Sequence, residues 1–180
     1  MKYPPKGIRG KHTIAELAYA AGLIDGEGHI IIFKDDRTKN LKYKTKNPTY
    51  ILIVGCTNTE PAMIDFLADR WGACRQTRGR QRANWKRTYE WTIQSDMALN
   101  FLKEIYPYMI IKQWKAKLAI EFQQGMKWRK IGSGKITPIE EILRREKIWQ
   151  QLNLHRKAPK AIQQVFAAAE TNRSNTELDR

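Results

Sequence analysis

Between Thr13 and Gly28 the chain spells out both ends of one helix, and the second of those ends restricts most what the rest can be. Thr13-Ile-Ala-Glu16 has the form of a capping box, in which the threonine hydroxyl and the glutamate three residues on satisfy each other's backbone N–H groups. Leu17, Ala18, Ala21, Leu23 and Ile24 follow, so the spacing predicts a helix over 14–25. It runs into Asp25-Gly-Glu-Gly28, two carboxylates each followed by glycine. Acids at a helix C-terminus oppose the macrodipole at roughly 0.3 to 1 kcal/mol each, so the segment calls for a compensating cation. An EF-hand loop does not explain them: with Gly28 at the sixth loop position the twelfth is Lys34, where a carboxylate is required. Ala15, Ala18, Ala21 and Gly22 fall on neighbouring turns of the same helix, a small-residue face that permits close approach of another backbone.

The rest of the chain alternates periods. Residues 29–33 and 48–54 are β-branched and aromatic strands joined by a basic connection. Pro61 to Trp71 predicts a helix with Ile64, Leu67 and Trp71 on one face and Gly72 as its stop. Two more strands are expected over 73–80 and 87–94, with the turn somewhere in 79–85. Ser95 is expected to cap a helix that Pro107 interrupts, a further helix to run from Ile111 to about Trp128, and Thr137-Pro-Ile-Glu140 to open one ending near Leu152. A last short helix over 161–169 and a frayed tail at 171–180 complete the reading, with residues 1–170 as one domain. The order α-β-β-α-β-β-α-α-α predicts an α+β fold: an antiparallel sheet covered on one face by helices, its other face free, polar and basic.

Charge distribution narrows the partner. Lys plus Arg is 33 against 18 Asp plus Glu, a net +15 of the sign and size expected for a polyanion partner. The excess concentrates in the strands, where Lys42, Lys44 and Lys46, and again Arg78, Arg80 and Arg82, recur at every second position and so share one strand face. Residues 75–87 hold six basic side chains and no acid, interleaved with Thr77, Gln76, Gln81, Asn84 and Trp85. Cations for phosphates mixed with amides and hydroxyls for base edges suit a major-groove surface. Lys34, Lys42, Lys44, Lys46, Arg75, Gln76, Arg78, Arg80, Arg82, Lys86 and Arg87 are therefore the expected DNA contacts.

Several classes drop out. The longest apolar run, Tyr50 to Cys56, is far short of the about 20 residues a membrane span needs, and the opening Met-Lys-Tyr-Pro-Pro-Lys is no signal peptide, so an intracellular protein without a membrane partner is expected. Cys56 and Cys74 with three scattered histidines do not make a zinc finger, and no small-molecule cofactor is indicated.

At this point the sequence resembles a known family, the LAGLIDADG homing endonucleases. Six of nine motif letters agree (Ala21, Gly22, Leu23, Ile24, Asp25, Gly28), Glu27 keeps the carboxylate, Gly26 is a common substitution, and Ala20 departs from the first Leu. The element order, the basic strands and Pro107-Tyr-Met-Ile-Ile-Lys112-Gln fit the same pattern, over roughly residues 13–128.

The resemblance implies a site-specific double-strand DNA endonuclease. Its divalent metal, Mg2+ or a substitute such as Mn2+ or Ca2+, would bind Glu27 with the Gly26 carbonyl as a further ligand. The family's water-orienting polar residue aligns to Asn58, with Cys56 and Thr57 as alternatives. Lys112 would stabilise charge in the transition state or polarise the attacking water, and Asp25 would hold the helix end. A single motif implies a homodimer, with Ala18, Ala21, Gly22 and Asp25 at the interface, acting on a long pseudo-palindromic target and leaving 3′ overhangs. The alternatives are a non-catalytic relative, an RNA maturase or DNA-binding regulator, and an unrelated basic RNA-binding protein.

Overall fold

The computed structural model describes residues 12–36, 47–72, 74–78, 86–126 and 137–157, with the backbone alone for 74–78 and 154–157. Helix α1 (Ile14–Glu27) begins at the capping box, where the Thr13 hydroxyl accepts from the Glu16 N–H and the Glu16 carboxylate from the Thr13 N–H at 2.8 Å. It passes without a loop into β1 (Gly28–Asp35), followed by β2 (Thr49–Asn58), α2 (Pro61–Trp71), β3 (Cys74–Arg78) and β4 (Thr88–Gln94). Then come α3 (Ser95–Ile105), a 3-10 turn (Tyr106–Tyr108), α4 (Gln113–Gln124) and α5 (Ile139–Lys157). The strands form one antiparallel sheet in the order β1-β2-β4-β3.

Strand parity separates the two faces. Ile30 and Ile32 of β1, Tyr50, Leu52, Val54 and Cys56 of β2, and Trp91 and Ile93 of β4 are buried against the helices. They meet Ala20, Ala21, Leu23 and Ile24 of α1, Ile64 and Leu67 of α2, Phe101 and Leu102 of α3, and Ala116, Ala119 and Phe122 of α4. Trp91 has no exposed surface; its indole N–H donates to the Gly72 carbonyl at 2.7 Å and its ring meets Phe101 edge-on.

The α+β architecture stands as the sequence predicts, with three differences of local cause. Helix α4 starts at Gln113 rather than Ile111 because the N–H groups of Ile110, Ile111 and Lys112 are taken by a carboxylate of α1. Ser95 does not cap α3; it is the first helical residue, at φ 57°, and Gln94 precedes it without a side-chain cap bond. The uncovered sheet face is not uniformly polar: on its β1–β2 half Ile31 and Phe33 are 37% and 48% exposed, opposite Ile53 and Ile51. The expected turn within 79–85 and the elements beyond 157 lie outside the described residues.

Parity also reassigns Lys34. It falls on the covered face, where its ammonium pairs with Glu146 of α5 at 2.7 Å and lies 4.9 Å from the centre of the Trp149 ring. Tyr50 donates its hydroxyl to the same Glu146 oxygen. Lys34 is thus not a free phosphate contact but half of a latch holding α5 to the sheet, a role invisible until the covered face is known. Hydrogen bonds from Lys34 and Tyr50 and the lysine charge outweigh burial and hold the Glu146 carboxyl below its usual range. A depressed carboxylate contributes stability at pH above its unfolded value and loses it as pH falls through the folded one. Acidification below the ordinary carboxylate range should therefore release α5 first, read as Trp149 fluorescence changing before the cooperative transition. Coincident changes would show that the latch is not a separate acid-labile unit.

Candidate active site

The end of α1 is built around Asp25, a carboxylate only 9% exposed. Its Oδ2 accepts from the N–H groups of Ile110 at 2.7 Å and Ile111 at 3.1 Å, and its Oδ1 accepts from that of Lys112 at 2.8 Å. Three donors from one turn clamp residues 110–112 onto the helix end, so Asp25 positions a segment 85 residues further along the chain. The carboxylate points into the fold, at the 110–112 turn, and not along the exposed face of α1 that carries Ala18 and Gly22.

Through that clamp Lys112 reaches the last turn of α1. Its ammonium donates to the carbonyls of Ile24 at 2.8 Å and Gly28 at 2.7 Å, the two groups that bracket Glu27 in the chain. A cation on the terminal carbonyls offsets the macrodipole. The compensation expected of a bound ion is supplied in part by this lysine. Burial lowers the Lys112 pKa, and the nearby charges of Asp25 and Glu27 oppose that shift. Gly28 is required by proximity: a Cβ there would fall 2.6 Å from the Ile24 Cα.

Glu27 itself is exposed, the last residue of the helix and one residue before the strand. No hydrogen bond or ion pair engages its carboxylate among the described residues, although it lies close enough to Cys56 and Lys112 to act on both electrostatically. Cys56 pairs with Gly28 across β1–β2 and is fully buried; desolvation, with Glu27 adding to it, pushes its thiol up to about 11, so it stays protonated at neutral pH. Cys56 thus lies within electrostatic reach of both Glu27 and Lys112. The Asn58 amide oxygen accepts from the Glu60 N–H at 2.9 Å and shapes the entry to α2.

The described residues contain no group of three or more His, Cys, Asp or Glu able to hold a metal. The donors present, an uncommitted carboxylate at Glu27 and the carbonyl of exposed Gly26, are hard oxygens suited to Mg2+ or Ca2+. They suffice only for a site completed by other oxygens, as Mg2+ sites commonly are by waters and phosphates.

Sequence reasoning passed over His29. Its ring lies against Gly55, directly opposite in β2, where an added Cβ would come 2.6 Å from the imidazole Cε1. The signal was a glycine inside a β-branched strand, which marks a close approach. His29 therefore occupies the uncovered face two residues beyond Glu27.

The basic set divides. Lys86 and Arg87 are exposed at the entry to β4. Arg75, Gln76 and Arg78 lie in β3, opposite Trp91, Glu90 and Thr88. Lys42, Lys44, Lys46, Arg80 and Arg82 lie outside the described residues.

The fold of this chain recurs among solved structures. The homing endonuclease I-CvuI, in complex with its target in the presence of Ca, superposes at a TM-score of 0.61 over 81% of this chain and 85% of its own, at 16% identity.

The fold is that of the LAGLIDADG homing endonucleases.

The archaeal intron-encoded homing endonuclease I-Vdi141I, complexed with DNA, matches at 0.57 over 77% of this chain and 82% of its own, at 16% identity. I-SmaMI, bound to an uncleaved DNA target with calcium ions, matches at 0.57 and 16% identity, but 87% of this chain covers only 49% of it. The alignment thus spans most of the first two chains and half of the third. No family model and no curated protein matches the sequence. No helix among the described residues is long and apolar enough to cross a membrane.

Proposed function

We propose that the protein is a LAGLIDADG homing endonuclease that acts as a homodimer and hydrolyses both strands of a long, pseudo-palindromic DNA target with the help of a divalent cation. The observation that carries this reading is the Asp25 clamp. It holds Lys112 on the carbonyls flanking Glu27 and leaves the Glu27 carboxylate exposed and uncommitted. A purely structural helix end has no need of an acid in that position, since Asp25 already anchors the turn.

Glu27 and the Gly26 carbonyl would hold the cation, Mg2+ or a substitute such as Mn2+ or Ca2+, which supplies Lewis acidity and an activated water when bound. Lys112 has one N–H left after its two carbonyl bonds and offers it, with its charge, toward the scissile phosphate. Dimerisation would place two copies of Glu27 side by side, one for each strand, and a two-fold across the minor groove gives staggered cuts with 3′ overhangs. The DNA and calcium in the complexes of I-CvuI and I-SmaMI support the choice of ligand class.

The interface follows the outward face of α1, and here the sequence reading needs correction. Ala21 has no exposed surface and packs in its own core, so it is not available to a partner. Ala18 and Gly22 are outward, and exposed Ala15 and Gly26 continue the stripe at helical spacing. Nothing lies within 4 Å of a Cβ added at Gly22 or Gly26. Gly22→Trp should therefore leave the protomer folded, with an unchanged or slightly higher melting temperature, while sedimentation shifts from dimer to monomer at micromolar concentration. A variant that stays dimeric would remove this face from the interface.

The reading as a whole is tested by incubating the purified protein with a randomised duplex library in Mg2+ and sequencing the ends. Paired cuts at a two-fold related sequence spanning about two helical turns are expected. Binding without cuts would leave a non-catalytic DNA-binding protein, and neither would refute the reading.

A further inference from the structure

At the end of α1 remote from Glu27, about 20 Å away along the helix, a second cluster of charged and aromatic side chains takes no part in the chemistry proposed above. His12, one residue before the Thr13 cap, stacks its imidazole on the Trp71 indole, with 4.4 Å between ring centres and 29° between planes. Its Nε2 stands 3.6 Å from the Glu104 carboxylate of α3, an ion-pair distance and not a hydrogen bond. The same Glu104 oxygen accepts the Trp71 indole N–H at 2.8 Å. The residue that leads into α1 is therefore seated where the end of α2 meets α3.

The seat is fixed, and its occupant is the part that can change. Trp71 meets Phe101 edge-on at 5.1 Å and Phe66 at 6.0 Å, and Phe101 belongs to the buried core. Glu104 is held by the indole, so neither wall of the seat depends on His12. The His12 side chain is only 14% exposed and has given up most of its water. Among the described residues, the charges that face it are Glu104 of α3, Glu16 of α1 and Arg70 of α2, the last two paired at 2.6 Å. Two carboxylates against one guanidinium leave −2 + 1 = −1, and a protonated imidazole brings the cluster to zero. A charged ring also gains the electron-rich face of the indole, whereas a neutral ring keeps only the stack.

We propose that His12 is a pH-operated strap: protonated, it fastens the lead-in of α1 to the seam of α2 and α3, and neutral, it lets that lead-in go. Histidine changes charge between about pH 5 and 8, so the strap is closed on the acid side of that window and opens as pH rises through it. Its sense is opposite to that of the Glu146 latch on α5, which acid loosens. With the strap open, the capping box of Thr13 and Glu16 holds the first turn of α1 without help from α3. The device stands apart from any action on DNA.

A double-mutant cycle on the full chain tests it, with His12→Gln and Glu104→Gln made singly and together and unfolded by denaturant at about pH 5.5 and about pH 8. Glutamine at 104 keeps an oxygen for the Trp71 N–H and removes only the charge. The coupling between the two positions should lower the unfolding constant about twofold to fivefold on the acid side and be absent on the alkaline side. Amide exchange, read at the Leu17 N–H that donates to the Thr13 carbonyl, supplies a second measurement that needs only wild type and His12→Gln. Wild type should exchange more slowly than the variant at the lower pH and equally at the higher. A coupling of the same size at both pH values, a coupling absent at both, or a wild-type-to-variant exchange ratio that ignores pH would each overturn the strap.

Discussion

Glu27→Gln should reduce strand cleavage in magnesium by at least about a thousandfold while leaving specific DNA binding within a few-fold of normal. The substitution keeps the size of the side chain and removes only the charge that would hold the cation. Because the carboxylate is exposed and forms no hydrogen bond or ion pair among the described residues, its loss has no structural cost within the protomer. Stability should change by less than about 0.5 kcal/mol, with a slight gain from removing an acid at a helix C-terminus. Single-turnover cleavage, gel-shift titration and thermal melting of the same preparation separate the three quantities. A variant that cuts at the normal rate would remove Glu27 from the chemistry.

Asp25→Ala should do the opposite and damage the protein before it damages any single step. Three N–H groups that now end on one carboxylate would be left without it, in a partly buried turn. At about 1 to 3 kcal/mol for each buried donor orphaned, and with water able to reach some of them, a loss of about 3 kcal/mol or more is expected in chemical denaturation. Freed from the clamp, the turn at 110–112 would no longer hold the Lys112 ammonium against Ile24 and Gly28, so folded enzyme should also cleave poorly. Asp25→Asn keeps the shape but sets an NH2 group against N–H donors, and should fall between alanine and wild type. A denaturation midpoint unmoved by alanine would show that the clamp carries little energy.

These two neighbouring acids illustrate how far the sequence could be read. The helix and its start were legible because a capping box is a local device: Thr13 and Glu16 satisfy each other without help from the rest of the chain. Pro61 and Gly72 marked the ends of α2 for the same reason. Strand existence and pairing were legible from composition, and the element order led to the fold. What a strand's two faces meet was not, since period two says which residues share a face but not which face the helices cover. Lys34 was consequently assigned to DNA and is found bound to Glu146, and the face expected to be polar carries Ile31 and Phe33. Ala21 was misread in the same way, since a small residue serves a helix–helix seam and a tight core equally well. The late start of α4 depends on a carboxylate that lies 85 residues away from the turn it holds, a distance no local pattern spans.

The direct junction between α1 and β1 has a consequence for how such a sequence can drift. Glu27 ends the helix and Gly28 begins the strand, with no residue between them to absorb a change in length. One inserted residue would rotate every β1 side chain to the opposite face, sending Ile30 and Ile32 into solvent and Ile31 and Phe33 into the helix layer. Insertions and deletions are therefore forbidden at this hinge point, and point substitution is the only route by which its neighbourhood can diverge. The exposed positions of β1 and β2 lack that constraint, because changing one alters no buried contact. Lineages descended from this chain can revise exposed Ile31 and Phe33 without disturbing the core, while Gly55 under the His29 ring and the spacing from Thr13 to Gly28 stay fixed.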